Sequence, residues 1–407
     1  MMVLSPAPKC WLASLPEQPE GYGPCMTTAP WRSRPLTILG STGSIGKNTL
    51  EVAKHLGIPI HTITGHSKVD ILAEQVVAYR PKVVVASDPS AIPQLKHLLR
   101  NVPVVIEGGP KALVEAARHP DVGTVVTAIV GAAGLPATVA AVQAGKRVGI
   151  ANKEPLVMAG GLIMAAAKHS GAEILPIDSE HSAIFQCLEG HRAHEVDHLV
   201  LTGSGGPFRT VHDLDGVTIE QALKHPTWSM GPKITIESAT LMNKSLEVIE
   251  ARWLFGIEPE RIRVVIHPQS VIHSMVVYRD GSVLAQLGLP DMKVPIQYAL
   301  TWPEHTAGLT SAPDFARLAS LTFEEADRVR FPSLDMAYAA ARDGGLAPTV
   351  MNAANEVAVA SFLAGHGRFT DIFRAIERAL GQVPRISDPT LEQIIAADAD
   401  TRARLSA

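Results

Sequence analysis

Cysteine is scarce in this chain. Its three copies, Cys10, Cys25 and Cys187, lie far apart in 407 residues and form no CxxC or zinc-type spacing. That leaves no cysteine-built metal site and makes a reducing, cytoplasmic setting the expectation. Cys187 reads as a packing residue rather than a nucleophile. A charge excess of either sign is also missing: 36 basic against 40 acidic residues give a net charge of −4. No nucleic-acid surface is implied, and any positive charge that binds a substrate must be local. No apolar run reaches the ~18 uncharged residues that a membrane span needs. With 46% apolar and 19% charged residues, what is there is a folded chain long enough for two or three domains.

Residues 1–34 carry six prolines and no steady periodicity, and read as a poorly ordered extension. From Leu36 the pattern changes. Short apolar runs (36–39, 58–64, 82–86, 102–106, 124–130, 147–151 and 172–177) alternate with helix-period segments such as 47–56, 69–79 and 135–144. Alternation at this spacing predicts a Rossmann-like parallel sheet covered on both faces over 35–177. Beyond it, strand-like runs at 199–202, 262–266, 271–278 and 282–287 have dissimilar connections. They predict an α+β catalytic domain over 178–302. Within it, 203–232 is rich in Gly and Pro and long for a plain connection, as lids often are. Residues 303–320 read as a linker, and 321–407 as a small C-terminal helical domain.

The first apolar run leads directly into Gly40-Ser41-Thr42-Gly43-Ser44-Ile45-Gly46. Glycines at a strand-to-helix turn let the backbone approach a pyrophosphate, and the helix N-terminus offers free N–H groups and a favourable dipole. A tight turn with helix caps is the alternative. The second run ends at Gly65-His66-Ser67-Lys68 without the acidic residue that suits an unphosphorylated ribose, which favours NADPH over NADH. Asn152-Lys153-Glu154 follows another strand end, where ligands of open sheets bind, although a solvated cap would look the same.

Asp178-Ser179-Glu180 closes the last of these strands. In extended backbone the two carboxylates share a face. Together they would repel unless a hard divalent cation sits between them. If 242–251 is helical, Asn243, Lys244 and Glu247 share a face at spacings of three and four. Glu247 then becomes the expected third ligand, against the alternative of a solvent-facing ion pair. Ser204, Ser238, Asn243 and Lys244 suit a phosphate dianion, and His225 is placed to donate to it. Trp228 and Met230 are expected to cover a carbon skeleton on closure. His273 would support a carboxylate or fill a polar core gap.

These motifs occur in one order with 151–154, 177–182, 202–209, His225-Pro226-Thr227-Trp228-Ser229-Met230-Gly231, 238–244 and His267-Pro268-Gln269-Ser270. From about residue 35 onward the chain resembles the 1-deoxy-D-xylulose 5-phosphate reductoisomerases. The resemblance implies metal ligation (Mg²⁺ or Mn²⁺) by Asp178, Glu180 and Glu247. It implies substrate contacts from Lys153, Ser179, Ser204, His225, Ser238, Asn243 and Lys244, with Lys153 among the catalytic residues. It implies NADPH contacts from Thr42, Gly43, Ser44, Ile45, Gly65, His66, Ser67, Asn152, Glu154, Gly231 and Met292. Trp228 and Met230 would belong to the lid. The implied reaction is a retro-aldol/aldol rearrangement of a phosphorylated 2-ketose followed by hydride transfer, carried out by a homodimer. Two positions depart from the family pattern: the 65–68 stretch lacks an asparagine, and Ser245 stands where a glycine is frequent. A simple NADPH-dependent reductase and a non-catalytic nucleotide-binding regulator are the rival readings. The regulator would not need the three acidic residues.

Overall fold

A computed structural model describes residues 33–228, 230–318 and 320–406. The expectation for the leader therefore lies almost wholly outside the described residues, as do Cys10 and Cys25. Arg34 is described. Its guanidinium pairs with Glu173 at 3.0 Å, so the chain is already tied to the domain inside the span read as a loose extension.

Seven parallel strands form the first sheet: β1 (Leu36–Leu39), β2 (Ile60–Gly65), β3 (Val83–Ala86), β4 (Val105–Gly108), β5 (Thr124–Thr127), β6 (Arg147–Ile150) and β7 (Glu173–Pro176). The order is β4-β3-β2-β1-β5-β6-β7, and every pairing is parallel. Continuous apolar runs suit strands buried on both faces; Leu36, Ile38 and Leu39 are fully buried. The crossovers are α1 (Ser44–Leu56), α2 (Val69–Tyr79), α3 (Ile92–Leu98), α4 (Pro110–Arg118), α5 (Leu135–Gln143) and α6 (Glu154–Ser170). Strand order reverses between β1 and β5. That opens a crevice at their carboxyl ends, the place where such sheets bind ligands.

The second sheet, β11-β10-β8-β9-β12, uses β8 (Val196–Gly203), β9 (Ile262–Ile266), β10 (Ile272–Tyr278), β11 (Val283–Leu287) and the two-residue β12 (Glu324–Glu325). Only β8 and β9 run parallel; β10 pairs antiparallel with β8 and β11, and β12 with β9. The mixed sheet matches the expectation, while β12 is not legible in its two glutamates. The helices of this half are α7 (Ser179–Leu188), α8 (Ile219–Ala222), α9 (Pro232–Ala239), α10 (Met242–Phe255) and α11 (Lys293–Thr301). α12 (Phe315–Leu318), α13 (Ser333–Asp343), α14 (Ala347–Leu363), α15 (Asp371–Leu380) and α16 (Leu391–Ser406) complete the chain.

Two packing facts revise the domain reading. The C-terminal helices share one core with the catalytic half: Phe331, Val350, Phe369 and Ile376 cluster with Phe208, Ile236, Met242 and Leu246. The Gly/Pro-rich stretch 203–232 is also anchored in its first half. Phe208 is buried edge-to-face on Phe369 at 5.1 Å, Leu214 is buried, and Arg330 donates to the carbonyls of Phe208, Arg209 and Val211. None of the described residues from Leu223 to Gly231 is buried. α11, for its part, packs back on α1, with Lys293 2.9 Å from Glu51, and this carries the neighbouring Met292 toward the glycine loop.

Candidate active site

Asp178 is not in a strand. It sits at φ −51°, ψ 130° as the N-cap of α7, and its Oδ1 accepts the Glu180 N–H at 3.3 Å. The extended geometry expected for 178–180 is thereby overturned. The two carboxylates still converge, because a cap side chain turns over the first helical turn that carries Glu180. Ser179 donates to Glu180 Oε2 at 2.5 Å. From the opposite wall α10 brings Asn243, Lys244 and Glu247 on one face, as the spacing predicts. The turn into α10 requires Leu241 at φ +57°.

The polar cluster is tightly cross-connected. Lys153 Nζ lies 2.7 Å from Asp178 Oδ2, 2.8 Å from Asn243 Oδ1 and 3.4 Å from Glu247 Oε1. Lys244 Nζ pairs with Glu180 and lies 2.6 Å from Glu247 Oε2. Asn243 Nδ2 donates to Glu247 Oε1 at 2.5 Å. Burial opposes charge on both lysines, but the Asp178 and Glu247 carboxylates around Lys153, and those of Glu180 and Glu247 around Lys244, keep their pKa values raised. Burial pushes Glu247 up to about 7, and Asp178 adds to the push. Oxygens of Asp178, Glu180 and Glu247 all lie within 4.8 Å of one another. An all-oxygen donor set with a carboxylate still short of positive charge fits a hard divalent cation.

Behind this cluster lies a layer the sequence does not reveal. His181, fully buried, donates from Nε2 to the Glu247 carbonyl at 2.9 Å. Its Nδ1 is 3.3 Å from Glu250 and 3.6 Å from Asp178. Burial works against a charged ring, yet Glu250 and Asp178 outweigh it and hold His181 toward the protonated form. This contact orients both metal-facing elements, α7 and α10, from outside the cleft.

The cleft has a cavity of about 180 Å³. Ser204, Ser238, His225, Trp228, Met230 and Gly231 line it together with His273 and Ser270. His225 Nδ1 accepts the N–H groups of Thr227 and Trp228 at 3.1 and 2.9 Å. The neutral ring therefore carries its proton on Nε2, 3.0 Å from Ser204 Oγ. Burial, then the Lys244 charge, lowers His225 to about 4, so at neutral pH it is an uncharged donor. Trp228 lies beside His273, ring centroids 6.3 Å apart and the rings tilted by 50°. Ser270 and Ile234 are cleft residues to which the sequence assigned no role. Ser270 at φ +51° and Leu241 are two of the three non-glycine residues with positive φ among those described, and both line the cleft. Such strain gathers at functional sites.

Ser44, Ile45 and Met292 line the same cavity. Seven other expected cofactor residues stand outside the lining, at strand ends. Thr42 and Gly43 occupy the turn after β1. Gly65 ends β2, and His66, exposed like Ser67, places Nδ1 2.9 Å from Ser87 Oγ. Asn152 is buried beside Gly134 with both amide atoms unpartnered, as expected of a group awaiting a ligand. Glu154 turns away from the cleft: it is buried and 2.7 Å from Lys233. Lys153 and Glu154, neighbours in sequence, thus stand in two environments. At the turn itself, a Cβ on Gly46 would lie 2.3 Å from the Gly40 oxygen, so only a bare backbone closes this loop. The uncapped N-terminus of α1 and the orphaned Asn152 amide fit a dinucleotide phosphate and amide or ribose.

A Rossmann-type sheet whose crevice faces a carboxylate–ammonium cluster defines a class, the dinucleotide-dependent oxidoreductases with a divalent-metal site. Comparison with known proteins narrows it. Residues 36–160 match the family described as 1-deoxy-D-xylulose 5-phosphate reductoisomerase. Residues 174–255 match the 1-deoxy-D-xylulose 5-phosphate reductoisomerase C-terminal domain, and 287–404 match the DXP reductoisomerase C-terminal domain. A 1-deoxy-D-xylulose 5-phosphate reductoisomerase of Laribacter hongkongensis is 51% identical over 379 residues, covering 91% of this chain and 98% of that protein. The Zymomonas mobilis enzyme solved in complex with NADPH is 43% identical with a TM-score of 0.86, covering 92% of this chain and 98% of that one. A DOX-P reductoisomerase solved with NADPH, fosmidomycin and magnesium is 42% identical with a TM-score of 0.88, covering 92% and 97%. The chain belongs to the 1-deoxy-D-xylulose 5-phosphate reductoisomerase family.

Proposed function

We propose that this protein catalyses the NADPH-dependent, divalent-metal-assisted rearrangement and reduction of 1-deoxy-D-xylulose 5-phosphate to 2-C-methyl-D-erythritol 4-phosphate, in the non-mevalonate route to isoprenoids. The observation that carries the reading is the meeting of Asp178, Glu180 and Glu247 within 4.8 Å in a cleft that Ser44, Ile45 and Met292 also line. When bound, Mg²⁺ or Mn²⁺ supplies Lewis acidity at the substrate oxygens and NADPH supplies the hydride.

The chain's own residues do the rest. Asp178, Glu180 and Glu247 hold the cation. Lys153 places an ammonium group at the reacting end, where oxygen atoms gain charge in both the carbon–carbon step and the reduction. Ser204, Ser238, Asn243, Lys244 and the neutral Nε2–H of His225 receive the phosphate, remote from the reacting carbons. Binding energy there is spent on orientation and closure rather than on affinity alone. Trp228 and Met230 cover the carbon skeleton, and Ser179 contacts the substrate beside the cation. Gly231 and the residues of the glycine turn, with Gly65, His66, Ser67 and Asn152, hold the dinucleotide. Glu154 acts from behind, through the Lys153 turn.

The proposal includes a cytoplasmic homodimer. The edge strand β11 presents Val283 and Leu284 about half exposed, an apolar edge that a second copy would cover. No helix of the described residues is long and apolar enough to cross a membrane. The test supplies 1-deoxy-D-xylulose 5-phosphate, NADPH and Mg²⁺ and identifies the product by NMR. The branched polyol phosphate is expected. A straight-chain reduced product would mean a simple reductase. Light scattering after size exclusion checks the dimer.

A further inference from the structure

Lys233 lies on the first turn of α9, two positions beyond Gly231, and faces away from the cleft. Its ammonium is 2.7 Å from Glu154 Oε1, 2.6 Å from Glu237 Oε1 and 3.9 Å from Glu356 Oε1. The three carboxylates come from different parts of the protein. Glu154 opens α6 directly after Lys153, and its Oε1 also accepts the Gly131 N–H at 3.2 Å from the loop after β5. Glu237 lies one turn along α9 beside Ser238, and accepts from Asn355 Nδ2 at 2.6 Å. Glu356 stands on α14, holds Arg402 of α16 at 2.7 Å, and presses on Gly131, where a Cβ would meet its Oε1 at 2.8 Å. One ammonium thus ties together the lid-side helix, the Lys153 turn, the β5 loop and the C-terminal helices.

A buried ionic junction of this kind is a weak source of stability, since well-packed apolar residues serve as well. What it supplies is placement, because the contacts to Glu154 and Glu356 join α9 to α6 and α14, while Glu237 holds the ammonium against α9 itself. Ile234 and Ser238 of α9 face the cleft, so the angle of α9 sets where they stand relative to Lys153. We propose that Lys233 is a positioning residue that fixes α9, and with it the end of the lid at Gly231, against the Lys153–Glu154 turn, with α14 and α16 as the rigid support. This deepens the functional reading above and rests on it.

The test compares Lys233→Met, Lys233→Arg and the unmodified enzyme, with kinetics measured well below each Tm. Lys233→Met keeps the stem and removes the cation. It is expected to raise KM for both NADPH and substrate and to lower kcat/KM by about tenfold or more, the scale of a misplaced cleft wall. Lys233→Arg is expected to recover most of the loss. A Met variant with a lower Tm but unchanged KM and kcat would reduce Lys233 to a structural role and overturn the assignment. If the Met variant does not fold, Glu356→Gln decides: it weakens the support from the C-terminal helices and leaves Glu154 and Glu237 on Lys233; a raised KM is expected, and wild-type kinetics overturn the proposal. Failure of the unmodified enzyme to form the branched product would refute the functional reading instead, so the two failures are distinct.

Discussion

Replacing Gly46 with alanine tests the dinucleotide site by one carbon atom. That atom would lie 2.3 Å from the Gly40 oxygen, 2.4 Å from Ser41 Cα and 2.6 Å from Ser41 C, whereas ordinary contact begins at 3.4 Å. The clash is with backbone on every side, so no side chain can swing away. Ser41 cannot retreat either: it is fully buried, its N–H bonds to Thr64 O at 2.8 Å, and its hydroxyl lies 2.6 Å from Gln75 Oε1. The start of α1 must therefore move outward by about 1 Å in a close-packed interior. Overpacking costs ~1–3 kcal/mol, and alanine in a helix returns ~1 kcal/mol. By these figures the net loss of stability is about 2 kcal/mol, within the ~5–15 kcal/mol of a typical native protein, and a folded variant is expected. The dinucleotide loses more. Displacing one charge-assisted N–H contact to a phosphate forfeits ~1.5–3 kcal/mol, so NADPH affinity should fall about 10- to 100-fold. Fluorescence titration with NADPH measures this. Calorimetric titration with Mn²⁺ serves as the control, because the carboxylates lie on α7 and α10. An NADPH Kd within twofold of wild type, in a folded variant, would refute the placement of the pyrophosphate at this turn.

Glu247→Gln should weaken Mn²⁺ binding by at least about tenfold, the worth of one charge-assisted contact, and slow both chemical steps; unchanged titrations and single-turnover rates would remove Glu247 from the ligand set. His225, lowered to about 4 from an ordinary 6.5, protonates more readily in the unfolded chain than in the folded one. Its contribution to stability is complete above pH 6.5 and is lost as pH falls toward 4. His225→Gln should therefore flatten that limb of the Tm–pH profile and raise KM for the substrate; a profile of unchanged slope would count against the neutral-donor assignment. Trp228→Ala should lower kcat/KM while Tm stays near wild type, because Trp228 is only partly buried beside His273; unaffected kcat/KM would take it out of the lid.

Much of this protein is legible in its residue order. Alternation of short apolar runs with helix-period segments marks the parallel sheet, and the dissimilar connections beyond residue 177 mark the mixed one. α2 falls at Val69–Tyr79 as the pattern predicts, and Asn243, Lys244 and Glu247 share the face their spacing requires. Backbone geometry at 178–180 is where the local pattern misleads, since Asp178 serves equally as a strand end or a helix cap and only its hydrogen bond to Glu180 N–H decides. The sequence by itself determined which chemical groups are present and on which local surface each stands, because dihedral preference and side-chain spacing are properties of neighbours along the chain. Tertiary structure alone decided which surfaces meet. It brought Asp178 against the distant helix α10, turned Glu154 away to Lys233, set His181 behind the carboxylates, and made the C-terminal helices part of the catalytic core. Those choices depend on desolvation and packing between distant segments, which no local pattern encodes.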